Sequence, residues 1–306
     1  MTLDVDSIVA KAKSKRNLTR QNIFQLLGYG LVWLCGLAAL AMVFWIIGYV
    51  LSQGLQVINL EFLTTRPAGG VSGEGGMSTT IVTTLYLVIL TIVIATPLGV
   101  GAAIYLVEYA GHASRESKLI AFLVKAARTG VEILAGVPSI IFGLFGFALF
   151  VLYLKLGFSL LSASLSGAAL VLPTIIRTSE EALLTVPRAY RMGSLSLGAT
   201  KWHTIFNVVL PTAMPGIVTG VVLSVGRIIA ETAIFWVTLG GSYHLPKSIM
   251  NSGRSMALHV YMLASETRAF DKAMGTAAIL ILTIILLNLS INILSRRLTS
   301  RLTGNK

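Results

Sequence analysis

The sequence is poor in cysteine and in charged side chains, and each shortage excludes a class of structure. Its single cysteine, Cys35, lies inside an apolar run, so no disulfide can form within the chain and no thiolate metal site can be built from it. Only 12% of the residues are charged and 55% are hydrophobic, whereas soluble globular domains have about 25% charged residues. With a mean hydropathy of +0.82, this composition predicts an integral membrane protein.

Motifs for catalysis and nucleotide binding are also missing. Neither His-Glu-x-x-His nor Gly-x-Ser-x-Gly occurs, and the histidines divide between opposite sides of the predicted membrane spans. The nearest approach to a Walker A motif, Pro246-Lys247-Ser248, lacks the glycine before the lysine, and the glycines at 69–76 precede an apolar run without a lysine. The sequence therefore predicts a protein that is not an enzyme and that itself binds no ATP, other cofactor or metal ion.

Six apolar runs, each about long enough to cross a hydrocarbon layer of roughly 30 Å, predict an all-α membrane protein with six transmembrane helices. The first run is too long for a signal-peptide core and is predicted to be an uncleaved anchor. A cytoplasmic N-terminal segment at 1–25 and a cytoplasmic tail at 296–306 flank a transmembrane domain at 26–295, which includes a charged loop at 108–128. The predicted spans lie at 26–51, 81–107, 133–154, 160–176, within 204–239, and at 273–295, and Pro138 is predicted to interrupt the third.

The net charge is +12, and the distribution of the basic residues relates to membrane topology rather than to nucleic-acid binding. The basic residues are scattered between apolar runs and form no single face interleaved with aromatic residues, as a nucleic-acid-binding protein would require. The two terminal segments and the loops at 108–128 and 188–201 carry 16 lysines and arginines, and the three alternate loops carry 6. The positive-inside rule therefore predicts that both termini are cytoplasmic.

A short basic amphipathic helix is predicted near 187–201, where it contains Arg188, Arg191 and Lys201. A helix of this composition lies on anionic membrane lipid or docks against a protein partner. The residue pattern alone leaves both interpretations open.

The residues that follow this helix resemble a known family. Gly198 is followed, after nine residues, by Val208-Val209-Leu210-Pro211, which resembles the cytoplasmic loop of the permease subunits of bacterial ABC importers: Glu-Ala-Ala, three residues, Gly, nine residues, Ile-x-Leu-Pro. The Glu-Ala-Ala positions fall on Met192-Gly193-Ser194, so the carboxylate of that motif is missing here. A further block, Val137-Pro-Ser-Ile-Ile-Phe-Gly-Leu-Phe145, resembles the phosphate-specific, PstA-type permeases.

This resemblance implies a type I ABC importer permease fold in the bacterial inner membrane. It implies four partners: a second permease of PstC type, an ATPase dimer of PstB type that binds the ATP, an extracytoplasmic phosphate-binding protein of PstS type, and inorganic phosphate. The segment near 187–201 is expected to act as a coupling helix that contacts the ATPase. The residues expected at that contact are Arg188, Arg191, Gly198, Ala199, Lys201 and Pro211.

Three charged residues lie within or beside the predicted spans, where charges are costly and usually face a bundle interior or an aqueous cavity. Arg227 and Glu231 are predicted one turn apart on one face of the fifth span, and Arg177 lies at the inner end of the fourth. The resemblance places all three in the anion pathway, and the planar guanidinium suits phosphate because it donates two hydrogen bonds to adjacent oxygens. The alternatives are a structural ion pair for Arg227 and Glu231, and snorkelling to the headgroups for Arg177.

Two other functions remain compatible with the sequence. The same machine can carry another oxyanion, such as phosphonate, sulfate or molybdate, and a passive channel or structural membrane subunit needs no ATPase at all. The spacing of Gly216 and Gly220 favours close helix packing, either within the chain or between two permeases.

Overall fold

A computed structural model describes residues 5–68, 73–110, 117–267 and 269–303. Residues 1–4, 69–72, 111–116 and 304–306, which belong to the predicted N-terminal segment, two predicted loops and the predicted tail, lie outside this range, as does Arg268. The described residues form one compact unit that ends at Ser52 and a second that begins at Gln53.

Regular structure in these ranges is helical. Three π-helical segments, Tyr105–Tyr109, Phe147–Tyr153 and Ile205–Val209, extend or join the α-helices. The α-helices are α1 (Val5–Gly54), α2 (Leu60–Thr64), α3 (Ser78–Ile104), α4 (Lys118–Ala135), α5 (Ser139–Gly146), α6 (Leu160–Thr185), α7 (Arg188–Ser196), α8 (Lys201–Thr204), α9 (Leu210–Ala230), α10 (Ala233–Thr238), α11 (Met256–Ser265) and α12 (Phe270–Thr303).

Five helical stretches in the described part of the chain are long and apolar enough to cross a membrane. A sixth span results if α4 and α5 with its π-helical extension are taken as one broken span, whose two parts meet at an angle of 108°. The predicted number of six spans therefore holds only with this broken one included. The five continuous stretches are Gln25–Gly54, Ser78–Tyr109, Leu160–Thr185, Lys201–Ala230 and Phe270–Ile291.

The broken span corrects the sequence prediction at one place and confirms it at another. The predicted loop at 108–128 is helical from Lys118 onward. Charged residues recur in α4 at helical spacing, so this helix is amphipathic. The number of charges alone made the segment resemble a loop. The third span is interrupted between Ala135 and Ser139, as predicted from Pro138. The interruption contains Pro138, which lacks the N–H group that a continuous helix needs there.

The core forms where α6 packs against α3 and α9. Its fully buried side chains include Leu87, Leu170, Ile175 and Ile228. Gly216 and Gly220 of α9 allow close approach to α6, because a Cβ atom on either would collide with Ala182 or Thr178. This glycine pair therefore packs two helices of the same chain, which decides between the two interpretations that its spacing left open.

Helix α3 connects two ends of the second unit. With its π-helical extension it has 32 residues, which correspond to about 48 Å at 1.5 Å per residue. At its start, the Thr79 hydroxyl donates to the carbonyl of Tyr243 at 3.0 Å and the Thr84 hydroxyl accepts the Met256 N–H at 2.9 Å. We call this the α11 end. The opposite end, where α3 reaches α7, is called the α7 end.

Candidate functional site: the α7 surface and the Arg227 region

Helix α7 confirms the short helix predicted near 187–201, although it ends at Ser196. The chain leaves it in a Schellman motif: the Gly198 N–H donates to the Leu195 carbonyl at 3.0 Å, and the Ala199 N–H donates to the Ser194 carbonyl at 3.2 Å. Gly198 has a φ of +84°, a left-handed conformation that glycine adopts without strain. The glycine of the sequence motif is therefore the residue that turns the chain from α7 toward α8.

Replacing Gly198 with leucine is expected to abolish transport, because a β-carbon in this conformation costs roughly 1–2 kcal/mol and displaces the turn. Asparagine tolerates left-handed backbone better, so Gly198→Asn is expected to retain transport. Substrate uptake and membrane recovery of both variants test this. A Cβ on Gly198 or on Gly193 would meet no atom within 4 Å, so Gly193→Leu is a control for bulk without backbone strain. Normal uptake by Gly198→Leu would contradict the expected role of the segment near 187–201 as a coupling helix.

Arg191 fastens α7 to the membrane helices. Its Nε and Nη2 atoms lie 2.9 and 2.8 Å from Oε1 of Glu108, in the π-helical extension of α3. Nη1 donates to the carbonyl of Val186 at 2.7 Å, and Nη2 donates to that of Leu183, in α6, at 2.9 Å. Only 18% of the Arg191 side chain and 10% of the Glu108 side chain are exposed. The guanidinium is thus occupied within the chain and positions α7, whereas Arg188 is exposed.

Lys201 makes a second connection to the same end of α3. Its ammonium lies 4.4 Å from the centroid of the Tyr109 ring, within the range of a cation–π interaction. Half-buried Pro211 opens α9 just after the π-helical segment. In a regular α-helix its ring would collide with the carbonyl of Asn207, so the wider π turn accommodates it.

Apolar side chains are exposed around α7, and we call this set the α7 surface. Leu197 is the extreme case, with 91% of its area exposed. Contiguous exposed apolar patches typically mark a protein or membrane contact. The α7 surface consists of Tyr190, Met192, Leu195, Leu197 and Trp202.

The second group of predicted residues lies where two broken helices meet. Helix α9 ends at Ala230, and Glu231 has extended backbone with φ −72° and ψ 129°. Helix α10 then packs closely against α5, because a Cβ on Gly143 would lie 3.0 Å from the Cα of Ile234. Ser139, the first residue of α5, lies close enough to the Glu231 carboxylate to interact with it, and Arg227 acts on the same carboxylate electrostatically.

Glu231 is the C-cap residue of α9, four residues after Arg227, and only its ψ departs from helical values. That the two side chains share one helical face stays a prediction. The ion pairs found among the described residues are Arg128–Glu180, Arg177–Glu181 and Arg191–Glu108. Arg227 and Glu231, four residues apart at the end of α9, are not among these pairs. Breaks in membrane helices, like the one after α9, commonly line binding sites, since they leave backbone groups free for a ligand.

Arg177 lies apart from this group. It is exposed on α6, and its Nε atom lies 3.4 Å from Oε1 of Glu181, one turn further along the same helix. Its neighbour Thr178 faces Gly220 of α9, and Arg227 lies seven residues beyond Gly220, or about 10 Å along the helix axis. The two arginines are therefore at different depths.

Sequence reasoning missed two of the residues that organise these sites. Glu108 closes an apolar run, and its value as the acceptor for Arg191 depends on a contact between residues 83 positions apart. Ser139 follows Pro138, and a hydroxyl directly after a proline inside a predicted span is a usable signal for the start of a half-helix.

Comparison with known proteins agrees with this architecture. A family model described as "Binding-protein-dependent transport system inner membrane component" matches residues 117–304. The chain belongs to this family of transport permeases.

Individual relatives narrow the comparison. The chain is 34% identical over 258 residues to the phosphate transport system permease protein PstA 1 of Mycobacterium tuberculosis H37Rv, covering 82% of this chain and 81% of that protein. It is 28% identical over 295 residues to the probable ABC transporter permease protein YqgI of Bacillus subtilis 168, covering 91% of this chain and 97% of that protein.

Solved structures confirm the predicted fold class, an all-α type I ABC importer permease. A chain of a bacterial alginate ABC transporter in complex with an alginate-bound periplasmic protein superposes with a TM-score of 0.60 at 18% identity, covering 87% of this chain and 95% of that chain. A chain of the inward-facing MetNI methionine ABC transporter gives a TM-score of 0.55 at 20% identity, covering 72% and 93%. At these identities the likeness concerns the fold alone.

Proposed function

We propose that this chain is a membrane-spanning permease subunit of an ATP-driven importer for inorganic phosphate in the bacterial inner membrane. It pairs with a second, PstC-type permease, and a PstB-type ATPase dimer binds the ATP. A PstS-type binding protein delivers phosphate from outside, and both termini of the chain are cytoplasmic. The proposal draws its substrate from relatives that are named phosphate transport permeases.

The α7 surface is the observation that carries the coupling part of the proposal. Its apolar side chains are exposed while the helix itself is fixed by Arg191 to Glu108 and to the carboxyl end of α6. A partner that docks there and moves α7 therefore moves α3 and α6 with it. Because α6 also packs against α9, the movement reaches the helix that carries Arg227. An ATPase can thus act on the pathway without contacting it.

Arg227 supplies the anion contact. The guanidinium stays charged at every physiological pH and offers a planar pair of donors to a phosphate. Glu231, on whose carboxylate Arg227 acts electrostatically, lies at the break between α9 and α10. The carboxylate keeps Arg227 from being an uncompensated charge in the empty pathway, and its repulsion of an arriving anion prevents phosphate from binding too tightly to leave.

Uptake and co-purification together test the proposal. Cells that lack this gene and regain it are expected to recover uptake of labelled phosphate but not of labelled sulfate or molybdate. The protein purified from those cells is expected to retain an ATP-hydrolysing partner. Recovery of sulfate or molybdate uptake instead would show another oxyanion importer. Phosphate movement without an ATPase partner would show a passive channel.

The orientation of the chain can be tested by cysteine labelling. In a Cys35→Ser background, we expect a membrane-impermeant maleimide to label Ser248→Cys at the α11 end of intact cells and not Ser196→Cys at the α7 end, because the basic segments retain the α7 end inside. Both serines are exposed. Labelling of both variants after permeabilisation is the control, and the reverse pattern in intact cells would overturn the topology.

A further inference from the structure

A small polar cavity lies at the α11 end and shares no lining residue with the two sites described above. It has a volume of about 170 Å³, and the residues that line it include Glu74, Tyr243, Arg254, His259 and Glu266. These residues come from two separate segments, one just before α3 and one between α10 and α12. The cavity holds both hydrogen-bond donors and carboxylate acceptors. Neither the coupling role of α7 nor the anion contact at Arg227 involves these residues.

Arg254 is the principal donor and is built into the structure. Only 5% of its area is exposed. Its Nε donates to the carbonyl of Gly241 at 3.0 Å, Nη1 lies 3.3 Å from Nδ1 of His259, and the guanidinium carbon lies 4.2 Å from the centroid of the Tyr243 ring. A guanidinium has five N–H groups, and these two hydrogen bonds use two of them. Arg254 is therefore held rigidly, and its hydrogen bonds to Gly241 and His259 leave further N–H groups not used by these two residues.

His259 is a second hydrogen-bond donor, and its protonation state and tautomer are fixed by its surroundings. Burial and the positive charges of Arg254 and Lys272 lower its pKa to about 3, so the ring is neutral at physiological pH. Because Nδ1 accepts a hydrogen from Arg254, the proton of the neutral ring is on Nε2. The ring thus has an N–H group to offer and adds no positive charge.

The two carboxylates decide which anion suits the cavity. Glu74 and Glu266 are exposed residues that line it, and an ionised carboxylate only accepts hydrogen bonds. Sulfate or the carboxylate of a docking protein has no hydrogen to donate to these glutamates. Inorganic phosphate keeps at least one proton at neutral pH, so it can accept from Arg254 and His259 while donating to a glutamate.

We propose that this cavity is a receiving site for hydrogen phosphate at the end of the permease opposite α7, and that Glu266 and Glu74 make it select phosphate over sulfate. Binding here does not depend on transport, so the site can exist even if the importer carries another solute. If the chain does import phosphate, the cavity is a first stop on the way to Arg227.

The test is equilibrium binding of labelled inorganic phosphate to the full-length protein in nanodiscs. An Arg227→Gln background removes the contribution of the pathway arginine. In this background we expect one bound phosphate per chain, no competition from sulfate at equal ionic strength, and loss of binding in Arg254→Gln. Arg66, an exposed arginine at the same end, provides the matched control Arg66→Gln, which is expected to bind phosphate normally.

Glu266→Gln tests specificity without removing the buried cation. An amide can donate to a fully ionised oxygen, so this variant is expected to narrow the preference for phosphate over sulfate at least tenfold while still binding an anion. Equal binding of sulfate and phosphate to the parent, an unchanged preference in Glu266→Gln, or retained binding in Arg254→Gln would each overturn the proposal. Absence of phosphate binding together with loss of binding-protein association in Arg254→Gln would show a protein docking site instead.

Discussion

Arg227→Gln is expected to reduce phosphate uptake by about a hundredfold while the complex remains assembled. Each charge-assisted hydrogen bond from the guanidinium contributes about 1.5–3 kcal/mol, and loss of two such bonds costs a factor of about a hundred or more. Glutamine is shorter than arginine but keeps hydrogen-bonding groups, so folding should be preserved. Initial rates of labelled phosphate uptake, normalised to the amount of complex recovered, measure the effect.

Three companion variants separate a pathway role from a structural one. Arg227→Lys keeps the charge without the planar pair of donors, so partial uptake is expected. The reversed pair, Arg227→Glu with Glu231→Arg, is expected to stay inactive because it moves the cation from the last turn of α9 to the C-cap position, away from the place proposed for the anion. Glu181→Gln changes an exposed residue whose ion pair is with Arg177, and it serves as a control for altered charge elsewhere in the membrane domain. Full uptake by the reversed pair would show a purely structural ion pair.

Arg191→Ala is expected to abolish uptake and to release the ATPase from the purified complex. Removing one partner of a buried ion pair costs about 3 kcal/mol or more, and here the carbonyls of Leu183 and Val186 lose their donor as well. Without this fastening, α7 no longer has a fixed position relative to α3. ATPase retention and phosphate-stimulated ATP hydrolysis in nanodiscs provide the measurement.

The controls for this prediction use the two neighbouring charges. Arg188 is exposed, so Arg188→Ala is expected to leave the fold of α7 unchanged and at most weaken the ATPase contact. The swap Arg191→Glu with Glu108→Arg restores opposite charges but cannot donate to the two carbonyls, so it is expected to recover little activity. A fully active swap would show that only the charge attraction matters and that the carbonyl contacts do not.

The sequence predicts the parts of the fold that depend on long apolar runs. Spans that begin near Ser78, Leu160 and Phe270 are recognisable because about 20 apolar residues are needed to cross the hydrocarbon layer. Pro138 likewise marks a real interruption. The angle of 108° at that interruption follows from packing against other helices, and nothing in the local sequence specifies it.

The site is less accessible to sequence reasoning because it depends on long-range contacts. The sequence from Arg227 to Thr232, where α9 ends, contains neither proline nor glycine. Nothing in the local sequence therefore indicates that the helix ends at Ala230. The stop follows from the close packing of α10 against Gly143. Similarly, Arg191 resembles any exposed basic residue until Glu108 is known to lie beside it. Helix α11 and the buried Arg254 within the predicted outer loop were missed for the same reason.

The π-helical segment Ile205–Val209 has a consequence for how the α7 surface is aimed. Its closing hydrogen bond runs from the Leu210 N–H to the Ile205 carbonyl, so this turn contains one residue more than an α-helical turn. In a helix each residue adds about 100° of rotation. Deleting one residue here would remove the wide turn that accommodates Pro211 and would change the azimuth of everything before it, relative to α9, by about 100°. The helical phase that one additional residue provides therefore sets the direction in which the α7 surface faces.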